Sequence, residues 1–408
     1  MIGTVSGKPD RRARVVFWAG SFERAGTQRF LLELLSRLDR TRFEPLVFST
    51  CARGELLPRI EALGVPVHEF GTGRFALSPR TIVELSRAAL FLRRENVDIL
   101  SCLLGITTLF GPFVGRLAGV RVVVNNQRNL SYWMRGRARE AVYRFVSRRL
   151  VDAVLVNSDA AAAELVDRFA VPREKIVHAG IGVDIGAYAG AQRDEAMARE
   201  LGLSGLHVVG IVAKLSAVKG HEHFLAAAAE ISRARDDVRF LVVGDGPRRA
   251  DLEGTAAVLA ISDRVRFVGA RDDVPALLRL MDVFVLSSVS EGSPNAVMEA
   301  MAAGVPVVAS DVGGLRAMIA DGVSGILVPP GESAPLAKEV LGLLADPARA
   351  SAMGRAGQAL ACERHDIGRV VENVQAVFSQ LLLATGTKEG QRRFRGTLFG
   401  PGRAGRAG

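Results

Sequence analysis

Short apolar runs alternate with stretches of helical periodicity along the first half of the chain. The runs predict strands at residues 15–19, 45–48, 65–68, 98–101, 120–124 and 153–156. Between them, apolar residues at helical spacing predict helices at 27–38, 56–63, 81–94, 107–117 and 134–150. Strands that are apolar throughout and alternate with helices are typical of parallel sheets that helices cover on both faces.

The same alternation starts again in the second half. Strands are predicted at 207–213, 239–243, 265–268, 283–286, 305–309 and 326–328, with helices between them. The two series predict an α/β protein with two doubly wound, Rossmann-like domains, and a length of 408 residues favours two cores over one. Ligands bind outside the carboxyl ends of the strands in such sheets. We therefore expect the two domains to face a central cleft that holds the site.

A polar, glycine-rich span separates the two series. It covers residues 180–205 and contains a short predicted helix at 193–202. We place the first domain at residues 1–185 and the second at 186–372, and we expect a helix at 373–385 to pack back towards the first domain. Residues 386–408 are rich in Gly and Arg and predict a disordered basic tail, with a membrane or partner contact as the alternative.

Cysteine usage and hydropathy narrow the class of protein. Cys51, Cys102 and Cys362 are far apart and odd in number, so we expect no disulfide framework, no metal-binding cysteines and a reducing cytoplasm. The first residues contain no apolar segment of the signal-peptide type. Residues 99–115 are the only uncharged stretch near membrane-spanning length, and their Gly and Pro residues favour a buried strand followed by a buried helix.

The net charge of +10 arises in the first half of the chain. The first 190 residues contain 28 Lys and Arg against 18 Asp and Glu, whereas the remainder contains 25 of each. Between Arg116 and Arg149, nine arginines and one acid surround Tyr132 and Trp133. Basic residues around aromatic ones predict docking to an anionic membrane surface. The alternative is a solvated, arginine-rich helix face, and no nucleic-acid recognition motif is present.

Two glutamates, Glu291 and Glu299, stand eight positions apart after an apolar strand. The residues between them open a helix that Ser293 can cap, with Pro294 at its first position. A helix N-terminus carries free amides and roughly half a positive charge, so it readily binds an anion. Amides suit phosphates and carboxylates suit sugar hydroxyls, so the segment predicts a cradle for a nucleotide sugar. An ordinary capped helix with two surface acids is the alternative.

Two lysines and a glycine-rich turn lie in the same half. Lys214 and Lys219 stand five positions apart in the loop that leaves strand 207–213, where both can reach a diphosphate. The run VGDGP at 243–247 ends the following strand. Its Gly244 either lets the backbone approach a ligand or only closes a tight turn.

These motifs, taken in order, resemble the family-4 retaining glycosyltransferases of the GT-B fold. The matching pieces are the lysine loop, VGDGP, FVG at 267–269 with DVP at 273–275, the glutamate pair, AGVPVVASDVGG at 303–314 and DGVSGILV at 321–328. The resemblance covers residues 150–385 well and residues 14–150 loosely.

The resemblance implies a role for each matching residue. Glu299 would hold the nucleotide ribose, Glu291 would contact the hydroxyls of the donor sugar, and Lys219 and Lys214 would neutralise the leaving diphosphate. In the first domain, Gly26 falls where the family often has a Gly-Gly loop beside the donor phosphates. The other donor-binding candidates are Gly244, Gly292, Ser293, Pro294, Asn295 and Ala296.

One departure from the family lies in the first domain. Many members carry a histidine after the strand that is predicted here to end at Val124, and this chain has Asn-Asn-Gln-Arg-Asn at residues 125–129. Arg128 therefore becomes the catalytic candidate of that domain. No Asp-x-Asp motif is visible near the predicted cleft, so we expect neither a metal nor a cofactor. Lysines and helix amides would meet the phosphate charge.

Together these features predict a metal-independent glycosyltransferase of the hexosyltransferase type, and the resemblance implies that it retains the configuration at the anomeric carbon. It would move a sugar from a nucleotide-diphosphate donor to a glycan or lipid-linked acceptor, as in polysaccharide biosynthesis. We expect a cytoplasmic protein that is peripheral on the inner face of the membrane if the basic region docks there, with no nucleic-acid partner. Two alternatives stay open. One is a GT-B sugar-nucleotide epimerase, which would need acid–base groups near the sugar. The other is a non-catalytic GT-B subunit that binds nucleotide sugar or lipid.

Overall fold

The computed structural model describes residues 11–23, 25–71, 78–103, 105–128, 136–292 and 294–385. These residues form two compact units. Unit 1 consists of the described residues up to Gly180 together with those from Val370 onward, and unit 2 consists of Ile181–Arg369. The division after Gly180 lies close to the boundary that we placed between residues 185 and 186.

Unit 1 is built on a seven-stranded parallel sheet. The strands are β1 (Ala13–Ala19), β2 (Phe43–Ser49), β3 (Val67–Glu69), β4 (Ile99–Cys102), β5 (Val122–Gln127), β6 (Ala153–Val156) and β7 (Ile176–His178). They lie in the order β3-β2-β1-β4-β5-β6-β7. The inner strands β4, β5 and β6 are buried along their whole length, as expected for a parallel sheet that is covered on both faces, whereas the edge strand β3 has no buried residue.

Helices cover both faces of this sheet. They are α1 (Gly26–Arg37), α2 (Leu57–Glu61), α3 (Pro79–Arg94), α4 (Thr107–Ala118), α5 (Arg137–Arg149) and α6 (Asp159–Asp167). Helices α3, α4 and α5 share one apolar core with sheet residues such as Trp18 and Leu100. Phe17, the neighbour of Trp18, points to the opposite face. There its ring lies 6.2 Å from that of Phe378 in α16 (Ile367–Thr385), the last helix of the described residues.

Unit 2 is built on a six-stranded parallel sheet. The strands are β8 (His207–Val212), β9 (Val238–Val243), β10 (Val265–Gly269), β11 (Val283–Leu286), β12 (Val307–Ser310) and β13 (Ile326–Val328), and they lie in the order β10-β9-β8-β11-β12-β13. Two apolar cores cover the sheet, one centred on Phe284 and Met298 and the other on Phe224 and Phe240. The helices are α7 (Ile185–Ala189), α8 (Glu195–Glu200), α9 (His221–Ala234), α10 (Arg249–Val258), α11 (Val274–Arg279), α12 (Asn295–Ala302), α13 (Leu315–Met318), α14 (Ser333–Ala345) and α15 (Pro347–Arg364).

The direction of winding reverses once in each sheet. In unit 1 the chain runs outward from β1 to β3 and then returns to β4 on the other side of β1. In unit 2 it runs outward from β8 to β10 and returns to β11 on the other side of β8. The loops that leave the two central strands then diverge, and this switch point is where open α/β sheets bind their ligands.

The prediction of two doubly wound α/β units is confirmed, and each predicted strand overlaps an observed one. Strand β5 continues to Gln127, three residues beyond the predicted end at Val124, and the short edge strand β7 was not predicted. The uncharged stretch at 99–115 forms strand β4 and most of helix α4. None of the helices in the described part of the chain is both long enough and apolar enough to cross a membrane.

Candidate functional site

Two loops of unit 2 are joined at the switch point between β8 and β11. The first follows β8 and covers residues 213–220, and the second follows β11 and begins at Ser287. The N–H of Val289 donates to the carbonyl of Val218 over 3.0 Å, and the Ser287 hydroxyl donates to the carbonyl of Lys219 over 3.3 Å. These bonds fix the positions of the side chains that the two loops carry.

Lys219 and Glu291 form an ion pair across this junction. Nζ of Lys219 lies 2.6 Å from Oε1 of Glu291, and the Ser288 hydroxyl donates to the same oxygen over 2.6 Å. The side chains of Lys219 and Glu291 are only 23% and 7% exposed. A carboxylate at this burial needs such partners because an unpaired buried charge is strongly destabilising. The second oxygen of Glu291, Oε2, has no hydrogen bond among the described residues and can accept one from a ligand.

A third loop fixes the backbone of Glu291 from the other side. Gly313, which follows β12, has φ of +57°, and a Cβ there would lie 1.8 Å from the carbonyl oxygen of Glu291. The N–H of Gly314 donates to the carbonyl of Gly292 over 3.0 Å. Only glycine fits at position 313, since both its backbone conformation and its packing exclude a side chain.

Helix α12 begins directly after the Glu291 loop. Its N-cap is Pro294, with φ of −73° and ψ of 118°, and Asn295 is its first helical residue. The prediction that Pro294 is the first helical residue is therefore wrong, because its extended backbone keeps it outside the helix while its carbonyl accepts from the N–H of Val297 over 3.3 Å. Ser293, the predicted cap, lies outside the described residues.

The start of α12 retains amide donors. Pro294 offers no side-chain cap, and the N–H groups of Asn295 and Ala296 have no acceptor among the described hydrogen bonds. Gly292, just before, has open space around the position of a Cβ. Glu299 follows within the second turn of the helix and is 6% exposed. The structure thus brings an ion-paired carboxylate, free amides and a second buried carboxylate to one edge of the sheet.

Lys214 and Gly244, two other candidates of unit 2, take no part in the Lys219–Glu291 ion pair. The side chain of Lys214 is exposed at the start of its loop and forms no hydrogen bond or ion pair within the described part of the chain. Gly244 has φ of +139°, and a Cβ there would lie 2.0 Å from the carbonyl oxygen of Ala213. The close approach at Gly244 is therefore made to the neighbouring loop of the protein.

A buried histidine stands beside Lys219. His221 is the first residue of α9 and is 2% exposed, and neither of its ring nitrogens has a hydrogen-bond partner. Burial lowers the pKa of His221 to about 4, so the imidazole is neutral at physiological pH. Sequence reasoning missed this residue, although its place directly after Lys219 and Gly220 was a usable signal.

Polar side chains also line the carboxyl edge of the sheet in unit 1. The side-chain amide of Asn126 donates to Oγ of Ser101 over 3.0 Å and to the carbonyl of Cys102 over 3.1 Å. That of Asn125 donates to the carbonyl of Thr108 over 3.0 Å. Both asparagines are buried. These bonds tie the end of β5 to β4 and to the first turn of α4. Oδ1 of Asn125 is buried and has no hydrogen-bond partner among the described residues.

Arg128 follows these residues and is only 8% exposed. Its guanidinium carbon lies 3.6 Å from the centre of the Phe30 ring in α1. Burial lowers the pKa of Arg128 to about 9, so the group stays charged at neutral pH. No carboxylate of the described residues forms an ion pair with it. Gly26 is the first residue of α1, one turn before Phe30, so the two candidates of unit 1 lie at the same end of that helix.

The sequence pointed only weakly to three further residues of the unit 2 site, Ser288, Gly313 and Gly314. Ser288 gave only a weak signal, a serine three positions before Glu291. The Gly313-Gly314 pair belonged to a recognised motif, but its contact with the backbone of Glu291 depends on the fold. In the described ranges, no group of three or more His, Cys, Asp or Glu side chains is arranged to hold a metal ion.

Comparison with known protein families gives two matches that together span most of the chain. The family described as Glycosyltransferase Family 4 matches residues 24–186, and the family described as Glycosyl transferases group 1 matches residues 206–346. The first match falls within unit 1 apart from its last residues. The second lies within unit 2 and contains the Lys219–Glu291 pair.

Individual relatives agree with these families. A 2-deoxystreptamine glucosyltransferase of Streptomyces kanamyceticus is 40% identical over 40% of this chain and 43% of its own length. A GDP-mannose-dependent alpha-(1-6)-phosphatidylinositol monomannoside mannosyltransferase of Mycolicibacterium smegmatis is 31% identical over 61% of this chain and 68% of its own length. The alignment thus spans less than half of the first relative and about two thirds of the second.

Solved structures show the same fold. HepE of Anabaena, in complex with UDP and glucose, superposes with a TM-score of 0.79 and covers 90% of this chain and 100% of that one, at 22% identity. From the family matches, the sequence relatives and the shared architecture, the chain belongs to the family-4, group 1 glycosyltransferases of the GT-B fold.

Proposed function

We propose that this protein transfers a sugar from a nucleotide-diphosphate donor to an acceptor hydroxyl, with retention of configuration and without a metal ion. The observation that carries the proposal is the buried Lys219–Glu291 pair at the switch point of unit 2. It places a cation and a hydrogen-bond acceptor for hydroxyls beside free helix amides. A nucleotide sugar presents the complementary groups in the same order.

Each part of the donor has a partner in unit 2. Lys219 and the N–H groups of Asn295 and Ala296 suit the diphosphate, because cations and helix N-termini both bind phosphate. Oε2 of Glu291 suits the hydroxyls of the sugar, since Oε1 is already occupied by Lys219 and Ser288. Glu299, on the same helix, suits the ribose.

The reaction breaks the bond between the anomeric carbon and the phosphate oxygen and forms a bond from the same carbon to the acceptor oxygen. For retention, the acceptor approaches the face that the phosphate leaves, and the leaving phosphate takes the acceptor proton. Negative charge grows on the phosphate as the bond breaks, and a cation held in place before the reaction stabilises that charge without reorganising. Glu291 fixes the ammonium of Lys219 for this purpose.

The acceptor side is proposed for unit 1. Arg128 is a buried cation with no described carboxylate partner, which suits an anionic or strongly polar acceptor group. The relatives' names mention a 2-deoxystreptamine in one case and a phosphatidylinositol monomannoside in the other. We propose a polyhydroxylated acceptor that is free, part of a glycan or attached to a lipid.

Release of nucleoside diphosphate separates this proposal from a non-catalytic subunit. The full chain is incubated with UDP-glucose and with GDP-mannose, each with and without a pooled set of glycan, cyclitol and lipid-linked acceptors. We expect acceptor-dependent release from one donor, with a product whose anomeric configuration, read by proton NMR, matches that of the donor. An epimerase would instead yield a new sugar nucleotide without an acceptor, and a binding subunit would yield neither product.

The first prediction concerns the cation of the donor site. Lys219→Gln should lower kcat at least about 100-fold, because charge on the leaving phosphate grows in the transition state. Glu291 loses its cation in this variant, so the double variant Lys219→Gln/Glu291→Gln is measured beside it, and thermal unfolding reports on folding. Lys338→Gln, an exposed lysine on α14, is the matched control. A folded Lys219→Gln protein that keeps the wild-type kcat would remove Lys219 from the reaction.

The second prediction concerns the buried carboxylate of α12. Glu299→Gln should weaken binding of the donor nucleotide by roughly 1 kcal/mol, because a hydrogen bond to a charged group is replaced by a weaker, neutral one. Titration calorimetry with the nucleoside diphosphate of the active donor measures the change. Glu332→Gln, at an exposed glutamate just before α14, should leave the affinity unaltered. Equal affinities for wild type and Glu299→Gln would mean that the ribose binds elsewhere.

The third prediction concerns the glycine that supports Glu291. Gly313→Ala should lower kcat/KM by roughly 100-fold, because the new methyl group must displace the Glu291 backbone and misplacement by about 1 Å has such an effect. Gly322→Ala is the matched control, since Gly322 also has positive φ, +74°, but has open space around its Cβ position. The control should lose about 1–2 kcal/mol of stability and keep its kcat/KM. Similar activity for the two variants would contradict the supporting role of Gly313.

The fourth prediction concerns metal dependence. Activity should survive an excess of chelator, because Lys219 and the helix amides already supply positive charge to the phosphates. The assay compares chelated enzyme with samples to which Mg²⁺ or Mn²⁺ is returned. Loss of activity that either ion restores would show that a metal takes part.

A further inference from the structure

Exposed apolar side chains are concentrated on three helices of unit 1. Among the described residues, twelve large hydrophobic side chains are exposed, and seven of them belong to α3, α4 and α5. These helices lie on the same face of the sheet, and their inner sides share one core. The seven residues are Ile82, Val83, Leu90, Phe113, Leu117, Val142 and Phe145. The three helices are therefore apolar on their outer side as well as on their inner one.

The outer residues form a continuous apolar surface where α4 meets α5. The rings of Phe113 and Phe145 stack at 6.1 Å with an angle of 18° between their planes, and they are 41% and 51% exposed. Leu117 lies one turn after Phe113 on the same side of α4 and is 76% exposed. Single exposed hydrophobic residues are ordinary, but a contiguous group of them marks a surface that another body covers.

Unpaired positive charge borders this surface. Helix α5 contains five arginines and one glutamate, Glu140, which forms an ion pair with Arg168. Arg137, Arg148 and Arg149 have no carboxylate partner within the described part of the chain, and with Phe145 they line a shallow depression along the helix. The surface thus combines a stacked aromatic pair with free guanidinium groups.

We propose that the outer side of α3, α4 and α5 docks on an anionic lipid bilayer. Phe113, Leu117 and Phe145 would enter the headgroup region, and the free arginines of α5 would contact lipid phosphates. Apolar and basic residues side by side are what an interfacial membrane contact requires. The sequence prediction placed this contact around Tyr132 and Trp133, which lie outside the described residues. The described helices carry the proposal without them.

The composition of the surface disfavours the other occupants. A nucleic acid would use the arginines but has no use for exposed Leu, Ile and Val side chains, since bases stack on planar groups. A second copy related by two-fold symmetry would set the same arginine-rich helix against itself, and like charges repel. A bilayer with acidic headgroups satisfies both the charge and the apolar area. The docking surface lies in unit 1 and the donor site in unit 2. A negative result for membrane docking would therefore leave the proposed transferase reaction intact.

Sedimentation of the full chain with lipid vesicles tests the proposal. We compare vesicles of phosphatidylcholine alone with vesicles that also contain phosphatidylglycerol, at low and high salt. Wild type should sediment with the anionic vesicles only, and salt should release it, because exposed charges are screened beyond a Debye length of about 8–10 Å. Wild type that stays in the supernatant with anionic vesicles at low salt would overturn the proposal.

Two sets of variants locate the contact. The triple variant Arg137→Gln/Arg148→Gln/Arg149→Gln should bind anionic vesicles roughly a hundredfold more weakly. Phe113→Ser/Phe145→Ser should also weaken binding to anionic vesicles at low salt, because it removes apolar side chains that would enter the headgroup region. The matched controls lie in unit 2: Arg233→Gln/Arg355→Gln/Arg364→Gln removes the same charge, and Val258→Ser/Val323→Ser removes exposed apolar residues. Both controls should bind as wild type does.

Further measurements exclude the rival occupants. Donor affinity should be the same in all variants, which shows that unit 2 is folded and that its donor site is intact. Far-ultraviolet circular dichroism and thermal unfolding check unit 1. If the control triple variant loses as much vesicle binding as the α5 triple variant does, the binding is non-specific charge attraction and the proposal is overturned. The surface would instead belong to a second copy under two conditions. Wild type would have to form dimers in analytical ultracentrifugation and bind no vesicles, and only the α5 and phenylalanine variants would lose the dimer.

Discussion

A lysine and a glutamate that are 72 positions apart in sequence hold the two central loops of unit 2 in contact. The loops leave the neighbouring strands β8 and β11 and lead to α9 and α12. These helices lie on opposite sides of the point where the direction of winding reverses. Separating them would leave the nearly buried carboxylate of Glu291 without its cation, and an uncompensated buried charge is strongly destabilising. The same pair fixes the position of the lysine ammonium and leaves Oε2 of Glu291 without a hydrogen bond among the described residues. One interaction therefore fixes the geometry of the switch point and holds a positive charge there.

The two units use the same topology with different chemistry at the carboxyl edge. In unit 2 the edge contains glycines that let backbones touch and an ion pair that joins loops. In unit 1 it contains neutral amides, and Asn125 and Asn126 tie strand ends through hydrogen bonds to backbone and hydroxyl groups. Neutral amides are inexpensive to bury once they are bonded. Arg128 is the exception, because its charge rests on the face of an aromatic ring. The sheets thus offer similar frameworks with distinct electrostatic character.

The fold was predictable from sequence because its strands are uninterrupted apolar runs that alternate with helices, a pattern typical of a parallel sheet covered on both faces. The glutamate pair and Lys219 were also predictable as candidates, since they follow predicted strands. What sequence did not provide depends on contacts between distant segments. The bond from Ser288 to Glu291 is local but has no distinctive pattern, and the packing of Gly313 on Glu291 exists only once β11 and β12 are neighbours. The conformation of Pro294 was mispredicted because proline is compatible with both the N-cap and the first helical position.

Asn126 also determines how two central strands align. Its side-chain amide bonds to Ser101 and to the carbonyl of Cys102, both on β4, the neighbouring strand. A shift of β5 by one residue would turn Asn126 to the opposite face and leave a buried amide without acceptors. The hydrophobic residues before it, Val122 to Val124, are nearly interchangeable and would tolerate such a shift. A single polar group therefore selects one register for apolar strands that could otherwise slide. In this sheet the apolar residues provide stability, and a polar residue provides the specificity of strand pairing.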